Sequence, residues 1–455
     1  MKLAIVGGGW AGLSAAVTAA DLGHTVTVLE SAHTLGGRAR RVSSRRLSKT
    51  IDNGQHILLG AYQQTLELMQ RMHLDINTLF RRDLLTLRSL DGTYQLAASN
   101  VAAPLHLLVG LVRAKGLSVA DKWELARAFS LLRLKKWQTP DGQTVLEWLT
   151  ENSPSLQLRQ LFWQPLCVAA LNTPLDAACA QLFANVLRDS IGTHRHASDM
   201  LLARTDLSAL WPDQVARLVP AHDAGSITVQ TGHPVRKLAL LPSASTPGIA
   251  IDGEYFDGAI LACPPPSAHR LLGQLPLEHD EDKTAHGLLA TLKDFDYIPI
   301  ATLTLELAEP WRLPFPMLML RENPQKDQYG QWLFNCADFM HAQDHQTVLQ
   351  VVISDAQTLT QMQGQDVCDA TVKQIQEQSR HLPPMPAVKG FDLIIEKRAT
   401  FAARPGLQRP SVQTPWPGVW LAGDWTDTHY PAVLEGAVMS GKRAAQAAHI
   451  AGHAV

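Results

Sequence analysis

Hydrophobic positions near the start of the chain fall in two short solid runs, Lys2–Val6 and Thr25–Leu29, separated by a stretch of small residues. Runs of this length, rich in Val, Ile and Leu, predict strands buried on both faces of a parallel sheet. The spacing between them predicts a helix over 13–22. Downstream the pattern lengthens. Residues 101–112 are almost wholly apolar, 119–137 has helical spacing ending on Arg133, Lys135, Lys136 and Trp137, and 156–190 reads as helices broken at Asn172-Thr173-Pro174. After Trp211-Pro212 the period shortens to that of strands, at 226–230, 234–238, 248–251 and 259–262. Three consecutive prolines, Pro264 to Pro266, end any sheet pairing there. Alternating strands follow between 301 and 350, then a helix over 367–380, a strand at 418–422 and a helix through 434–441.

The turn after the first strand carries chemistry. Gly7-Gly8-Gly9-Trp10-Ala11-Gly12 contains G-x-G-x-x-G. In that motif Gly7 permits the tight turn, Gly9 lets backbone approach a pyrophosphate, and Gly12 lets helix and strand pack closely. The helix N-terminus, with Ala11 in its first turn, offers free N–H groups and a positive dipole end to phosphate. Glu30 closes the second strand about 20 residues on, placed to accept hydrogen bonds from a ribose. A glycine-rich turn alone is weak evidence, but strand, turn, helix, strand and acid in order predict a dinucleotide site. Lys2 before an apolar stretch to Ala19-Ala20 also resembles a cleavable leader; the glycine cluster and the continuing strand argue against cleavage.

Composition narrows the class. A chain of 455 residues holds two or three domains. A net charge of −2 gives no reason to expect nucleic acid. Five cysteines with no CxxC read as reduced thiols in a cytoplasmic protein. No apolar run reaches the about 18 residues of a membrane span, so the protein is expected to be soluble or peripheral on the inner face of the cytoplasmic membrane. His194 and His196 flank Arg195 without a third ligand, and no metal is expected.

Gly36-Gly37-Arg38 follows the second strand closely. A second pair of glycines brings backbone against a flavin dinucleotide, and Arg38 is suited to pair with its phosphate. The polar cluster Asp52-Asn53-Gly54-Gln55-His56 is placed beside the flavin ring. At these residues the chain resembles the flavin-dependent amine oxidase and phytoene desaturase superfamily. More narrowly it resembles the hydroxysqualene dehydroxylases, through 52–62, 165–174, 183–189 and 419–427.

That resemblance implies an α/β fold: a discontinuous Rossmann-like FAD-binding domain (1–75, 211–275 and 390–455) with an inserted α+β substrate domain (76–210 and 276–389). It implies FAD held by Gly7, Gly9, Ala11, Gly12, Glu30, Gly37 and Arg38. Val235 would hold the adenine through strand backbone, and Gly423 and Asp424 would contact the ribityl–pyrophosphate region. Helix-start N–H groups at Glu435, Gly436 and Ala437 would face the flavin pyrimidine edge, with Gly54, Gln55 and His56 beside the ring. The implied reaction is reductive removal of the hydroxyl of hydroxysqualene to give squalene, in hopanoid and isoprenoid biosynthesis, with hydride from N5 of reduced flavin. Departure of an allylic hydroxyl as water needs an acid, for which His56, Glu435 and Tyr430 are the candidates. Trp425 and Tyr430 are candidates to face the allylic cation. The implied partners are a long-chain isoprenoid, upstream squalene-pathway enzymes and an electron donor that the sequence does not name. Two other readings stay open: a carotenoid desaturase or amine oxidase of the same fold, and a non-enzymatic prenyl-binding protein. For 101–137 two readings also stand, a core helix followed by an ordinary amphipathic one, or an interfacial patch with Arg, Lys and Trp at lipid headgroups.

Overall fold

The two predicted N-terminal strands are neighbours at the centre of a five-stranded parallel sheet in the order Ser226–Gln230, Thr25–Leu29, Lys2–Val6, Gly258–Leu261, Val419–Leu421. Side chains such as Leu3, Ile5, Val26, Val28 and Ile260 are fully enclosed, as a parallel sheet covered on both faces requires. This is a computed structural model; it describes residues 1–102, 105–217, 225–241, 248–277, 283–341 and 345–453. Strands far apart in sequence thus share one sheet, and the intervening chain builds the rest of the molecule around it.

The first helix, Trp10–Asp21, begins three residues earlier than its spacing predicts, at the end of the glycine turn. It packs along the C-terminal helix Leu434–His453, which runs well past the predicted 441. Small residues permit this: a Cβ on Gly441 would lie 2.0 Å from the Ala11 carbonyl oxygen. Ser14 Oγ donates to the Val438 carbonyl at 2.8 Å across the same seam. The predicted strand at 234–238 is absent. The strand is Leu238–Leu241 instead. Pro234 has no N–H to give a ladder, and the N–H groups of Arg236 and Lys237 donate to the Asp252 carboxylate. Pro265 opens a helix, Pro265–Leu272, where its missing N–H costs nothing.

A second, antiparallel sheet has the order Met317–Met319, Trp332–Asn335, Val348–Ile353, Tyr297–Leu307, Val388–Phe401. Its period-two pattern separates two faces. Ala301, Leu303, Leu305 and Leu307 join one apolar cluster, while Thr302 and Thr304 are buried on the other face. Thr302 Oγ1 lies 3.6 Å from where a Cβ on Gly54 would stand, so the polar face of this sheet covers the 52–56 loop.

The apolar stretch at 101–112 forms the helix Leu105–Arg113; residues 103 and 104 lie outside the described residues. The following helix is Val119–Leu134, shorter than predicted, because Lys136 and Trp137 turn to positive φ (51° and 63°) and end it. All five cysteines are free. Among the described residues no helix is long and apolar enough to cross a membrane, and no group of three His, Cys, Asp or Glu side chains could hold a metal ion.

Candidate functional site

The glycine turn is built as its spacing requires. A Cβ on Gly12 would sit 1.9 Å from the Gly7 carbonyl oxygen, so only glycine lets the first helix approach the turn. Glu30 Oε2 accepts from the Gly8 N–H at 2.6 Å, and Oε1 accepts from the Ala32 N–H at 2.7 Å and Ser31 Oγ at 3.1 Å. Three donors fix the carboxylate, and a carboxylate has about four acceptor positions, so one is left for a ribose hydroxyl. His233 N–H donates to the Glu30 carbonyl at 2.8 Å, bringing the loop with Val235 to the same edge. Val235 itself is on that loop rather than on a strand, and its carbonyl accepts from Arg270 Nη2 at 2.9 Å.

The second glycine pair closes over the first. Gly36 N–H donates to the Gly8 carbonyl at 2.9 Å, and a Cβ on Gly37 would come within 3.0 Å of the Gly9 Cα. No side chain caps Gly9 at the start of the first helix. This leaves a backbone-lined cradle at a helix N-terminus, suited to a pyrophosphate. In the 52–56 loop and on the sheet that covers it, Gln55 Oε1 and the Tyr297 hydroxyl are buried without a hydrogen-bond partner. Burial pushes Tyr297 up to about 12, with the Arg38 charge opposing and that of Asp424 adding. Unmet buried polar atoms together with a glycine cradle fit a polar, phosphate-bearing cofactor.

The two ends of the chain meet here. Arg38 Nη2 donates to both carboxylate oxygens of Asp424 at 2.7 Å, across 386 positions, and Nη1 donates to the Ala399 carbonyl at 2.5 Å. Arg38 thus supplies the counter-charge that the buried Asp424 needs. Asn53 Nδ2 donates to the Arg38 carbonyl at 3.1 Å, tying the 52–56 loop to the pair.

The three candidate acids have different surroundings. His56 Nδ1 sits 2.7 Å from the Gly54 carbonyl, which can only accept, so Nδ1 carries the hydrogen and Nε2 of the neutral ring is an acceptor. Burial holds His56 below its ordinary value; the Gly54 bond opposes this and the Arg38 charge adds to it. Glu435 is buried and accepts from the Gln64 N–H (2.8 Å), the Thr65 N–H (3.0 Å) and Thr65 Oγ1 (2.7 Å). It is the missing cap of the helix Gln63–Arg71, whose cap position, Tyr62, supplies no side-chain acceptor. Burial pushes its carboxyl up, and the Thr65 and Gln64 donors pull it back. The Tyr430 hydroxyl donates to Asp189 Oδ2 at 2.6 Å, and Asp189 is also held by Arg188. Burial first, then the Asp189 bond and charge, raise the phenol well above its ordinary value.

Trp425 is buried beneath Gly423 and packs edge-on against Phe295 at 6.2 Å. Arg409, which sequence reasoning passed over, has a side chain 5% exposed and donates to the Tyr430 carbonyl at 2.6 Å. It sits in an irregular stretch with no periodicity to mark it. Asp52 was read only as part of a polar cluster. It is buried, its Oδ1 accepts from the Leu207 N–H at 2.9 Å, and burial, opposed by that bond, raises its carboxyl to about 8. An unfolded aspartate ionises near 3.8, so between there and about 8 only the unfolded chain gives up this proton. Stability from this group is full below that window, falls as pH rises through it and levels off above. Asp52→Asn is expected to flatten the fall of melting temperature over this range and to raise it on the alkaline side; parallel wild-type and variant curves in a pH series would contradict the assignment.

Comparisons with known proteins show the family. The profile of flavin containing amine oxidoreductases matches residues 10–449. Hydroxysqualene dehydroxylase of Rhodopseudomonas palustris is 29% identical over 468 residues, covering 99% of each chain. Zeta-carotene desaturase of Arabidopsis thaliana is 23% identical, covering 98% of this chain and 84% of that protein. Among solved structures, an oxidoreductase from Methanosarcina mazei matches with a TM-score of 0.73 at 16% identity over 98% of this chain and 100% of that one. Cyclohexylamine oxidase from Brevibacterium oxydans matches at 0.66 and 15%, over 99% and 98%. With the double glycine cradle and a family match that spans nearly the whole chain, the protein belongs to the flavin containing amine oxidoreductases and is an FAD-dependent oxidoreductase.

Proposed function

We propose that this enzyme removes the hydroxyl of hydroxysqualene reductively to give squalene. One observation carries the reading beyond the superfamily. Two of the stretches that hold the narrower resemblance, 183–189 and 419–427 with the turn that follows, are joined by hydrogen bonds. Asn185 Nδ2 donates to the His429 carbonyl at 2.9 Å and Tyr430 donates to Asp189. The full-length similarity to the Rhodopseudomonas palustris enzyme supports it.

FAD held in the cradle would, when reduced, supply the hydride that replaces the departing oxygen. The chain's own residues have three tasks. Gly9, Gly37 and the first helix N-terminus bind the pyrophosphate, with Glu30 at the ribose. Arg38 and Asp424 hold the two walls of the cleft together. A proton must reach the leaving hydroxyl so that it departs as water. His56 presents an acceptor, and Glu435 is spent on a helix cap. We assign this step to Tyr430, whose O–H must turn from Asp189 to the leaving hydroxyl to pass its proton.

The test is anaerobic incubation of the protein, its FAD reduced, with hydroxysqualene, followed by gas chromatography for squalene. Bleaching of oxidised FAD by a carotenoid instead would favour the desaturase reading that the zeta-carotene desaturase relatives support. In the same assay Tyr430→Phe should lower kcat about a hundredfold, the loss of one acid–base contribution, with FAD content unchanged. A variant as fast as wild type would return Tyr430 to a packing role.

A further inference from the structure

The helix Leu105–Arg113 faces the wrong way for a core element. It buries His106 and Gly110, since a Cβ on Gly110 would lie 2.3 Å from the Ala97 carbonyl oxygen, and it turns Leu105, Leu108 and Val112 to solvent. Leu105 is 56% exposed and Val112 75%. The next helix repeats the pattern, with Val119 76% and Trp123 73% exposed one turn apart on a single face. Lys122 Nζ donates to the Val112 carbonyl at 2.8 Å, and Gln157 Nε2 donates to the Gly116 carbonyl at 2.6 Å. These bonds join both helices and the exposed Leu156 into one surface. Scattered exposed leucines are ordinary; a contiguous set on two adjoining helices marks an interaction site.

Charge selects the partner. Arg113, Lys115, Arg127, Arg133, Lys135 and Lys136 are exposed in the same segment. Its acids, Asp121 and Glu124, are bonded to Ser118, Ser153 and Ser155 rather than offered outward. A second copy of this face would bring like charges together. Apolar side chains with an indole, rimmed by Lys and Arg, match the acyl boundary and anionic headgroups of a bilayer.

We infer that the surface formed by 105–113, 119–136 and Leu156 docks on an anionic lipid bilayer, with Leu105, Leu108, Val112 and Trp123 inserted at the headgroup boundary. The surface packs onto the helix of Asn185 and Asp189: Phe129 of the second helix stacks on Trp163 at 5.6 Å, Trp163 meets Phe183 at 6.3 Å, and Phe183 lies on that helix. Docking does not depend on which substrate is turned over, so it can fail or succeed apart from the dehydroxylation reading.

The experiment is co-sedimentation of the FAD-loaded protein with phosphatidylcholine vesicles, with and without phosphatidylglycerol. The protein should pellet with the anionic vesicles and be released as salt shortens the reach of the charges to below about 10 Å. Leu108→Asp with Trp123→Asp should cut binding at least about tenfold while leaving melting temperature and flavin spectrum unchanged, both positions being exposed. Arg113→Gln with Lys115→Gln should cost about thirtyfold on anionic vesicles and little on neutral ones. Wild type left in the supernatant with both vesicle types, or apolar-face variants that bind as wild type, would overturn the inference. So would light scattering that shows a dimer broken by Leu108→Asp, which would make a second copy the occupant.

Discussion

Asp424→Ala is expected to empty the protein of FAD. The carboxylate takes both hydrogen bonds of one Arg38 nitrogen, and together they tie the second glycine pair to the C-terminal turn at Gly423. Removing it leaves a guanidinium with only the Ala399 carbonyl and lets the two walls separate. Breaking a fully buried ion pair costs about 3–5 kcal/mol. The Arg38 side chain is 40% exposed, so solvent screening reduces the expected stability loss to about 2 kcal/mol. The larger effect is on the cradle, where a shift of Gly37 away from Gly9 opens the pyrophosphate site. Flavin absorbance per protein after gel filtration, alongside urea unfolding, measures both. Equal FAD content in wild type and variant would remove this pair from the cofactor site.

Glu435 leads to the opposite signature. Three donors converge on its two oxygens, and a glutamine there would turn an NH2 group toward N–H groups that have nothing else to bond. Leaving buried donors unmet costs about 1–3 kcal/mol each. Glu435→Gln should therefore lose about 2 kcal/mol of stability, and Glu435→Ala more, with fraying of the helix Gln63–Arg71 visible as faster amide exchange at Gln64 and Thr65. Turnover per bound FAD should stay close to wild type. A collapse of turnover at unchanged stability would instead make Glu435 the proton donor, the role its position in the sequence first suggested.

The contrast between these residues shows where reading a sequence stops. Gly7, Gly9, Gly12 and Glu30 were legible because their partners lie within one strand–turn–helix–strand unit, where covalent spacing sets the geometry. Arg38 was recognised as a charged contact, while its carboxylate partner, 386 positions away, was not foreseen. Glu435 was legible as an acid in a helix start, yet its task belongs to another helix, 370 positions back from it. Tyr430 could be named, while the Asp189 that orients it lay in a stretch read as helices. Val235 falls in the stretch 234–238 read as a strand; Pro234 and the Asp252 carboxylate decide otherwise.

By itself the amino-acid order determined the local units of this flavoprotein: the parallel core strands, the phosphate-binding turn and the unusual apolar stretch at 101–112. Periodicity and glycine spacing act over a few residues and need no distant partner. Only the tertiary structure decided which charges neutralise one another, which acid is spent on a cap and which helix face is left uncovered. Those outcomes depend on desolvation and on contacts between segments hundreds of residues apart, quantities that no local pattern encodes.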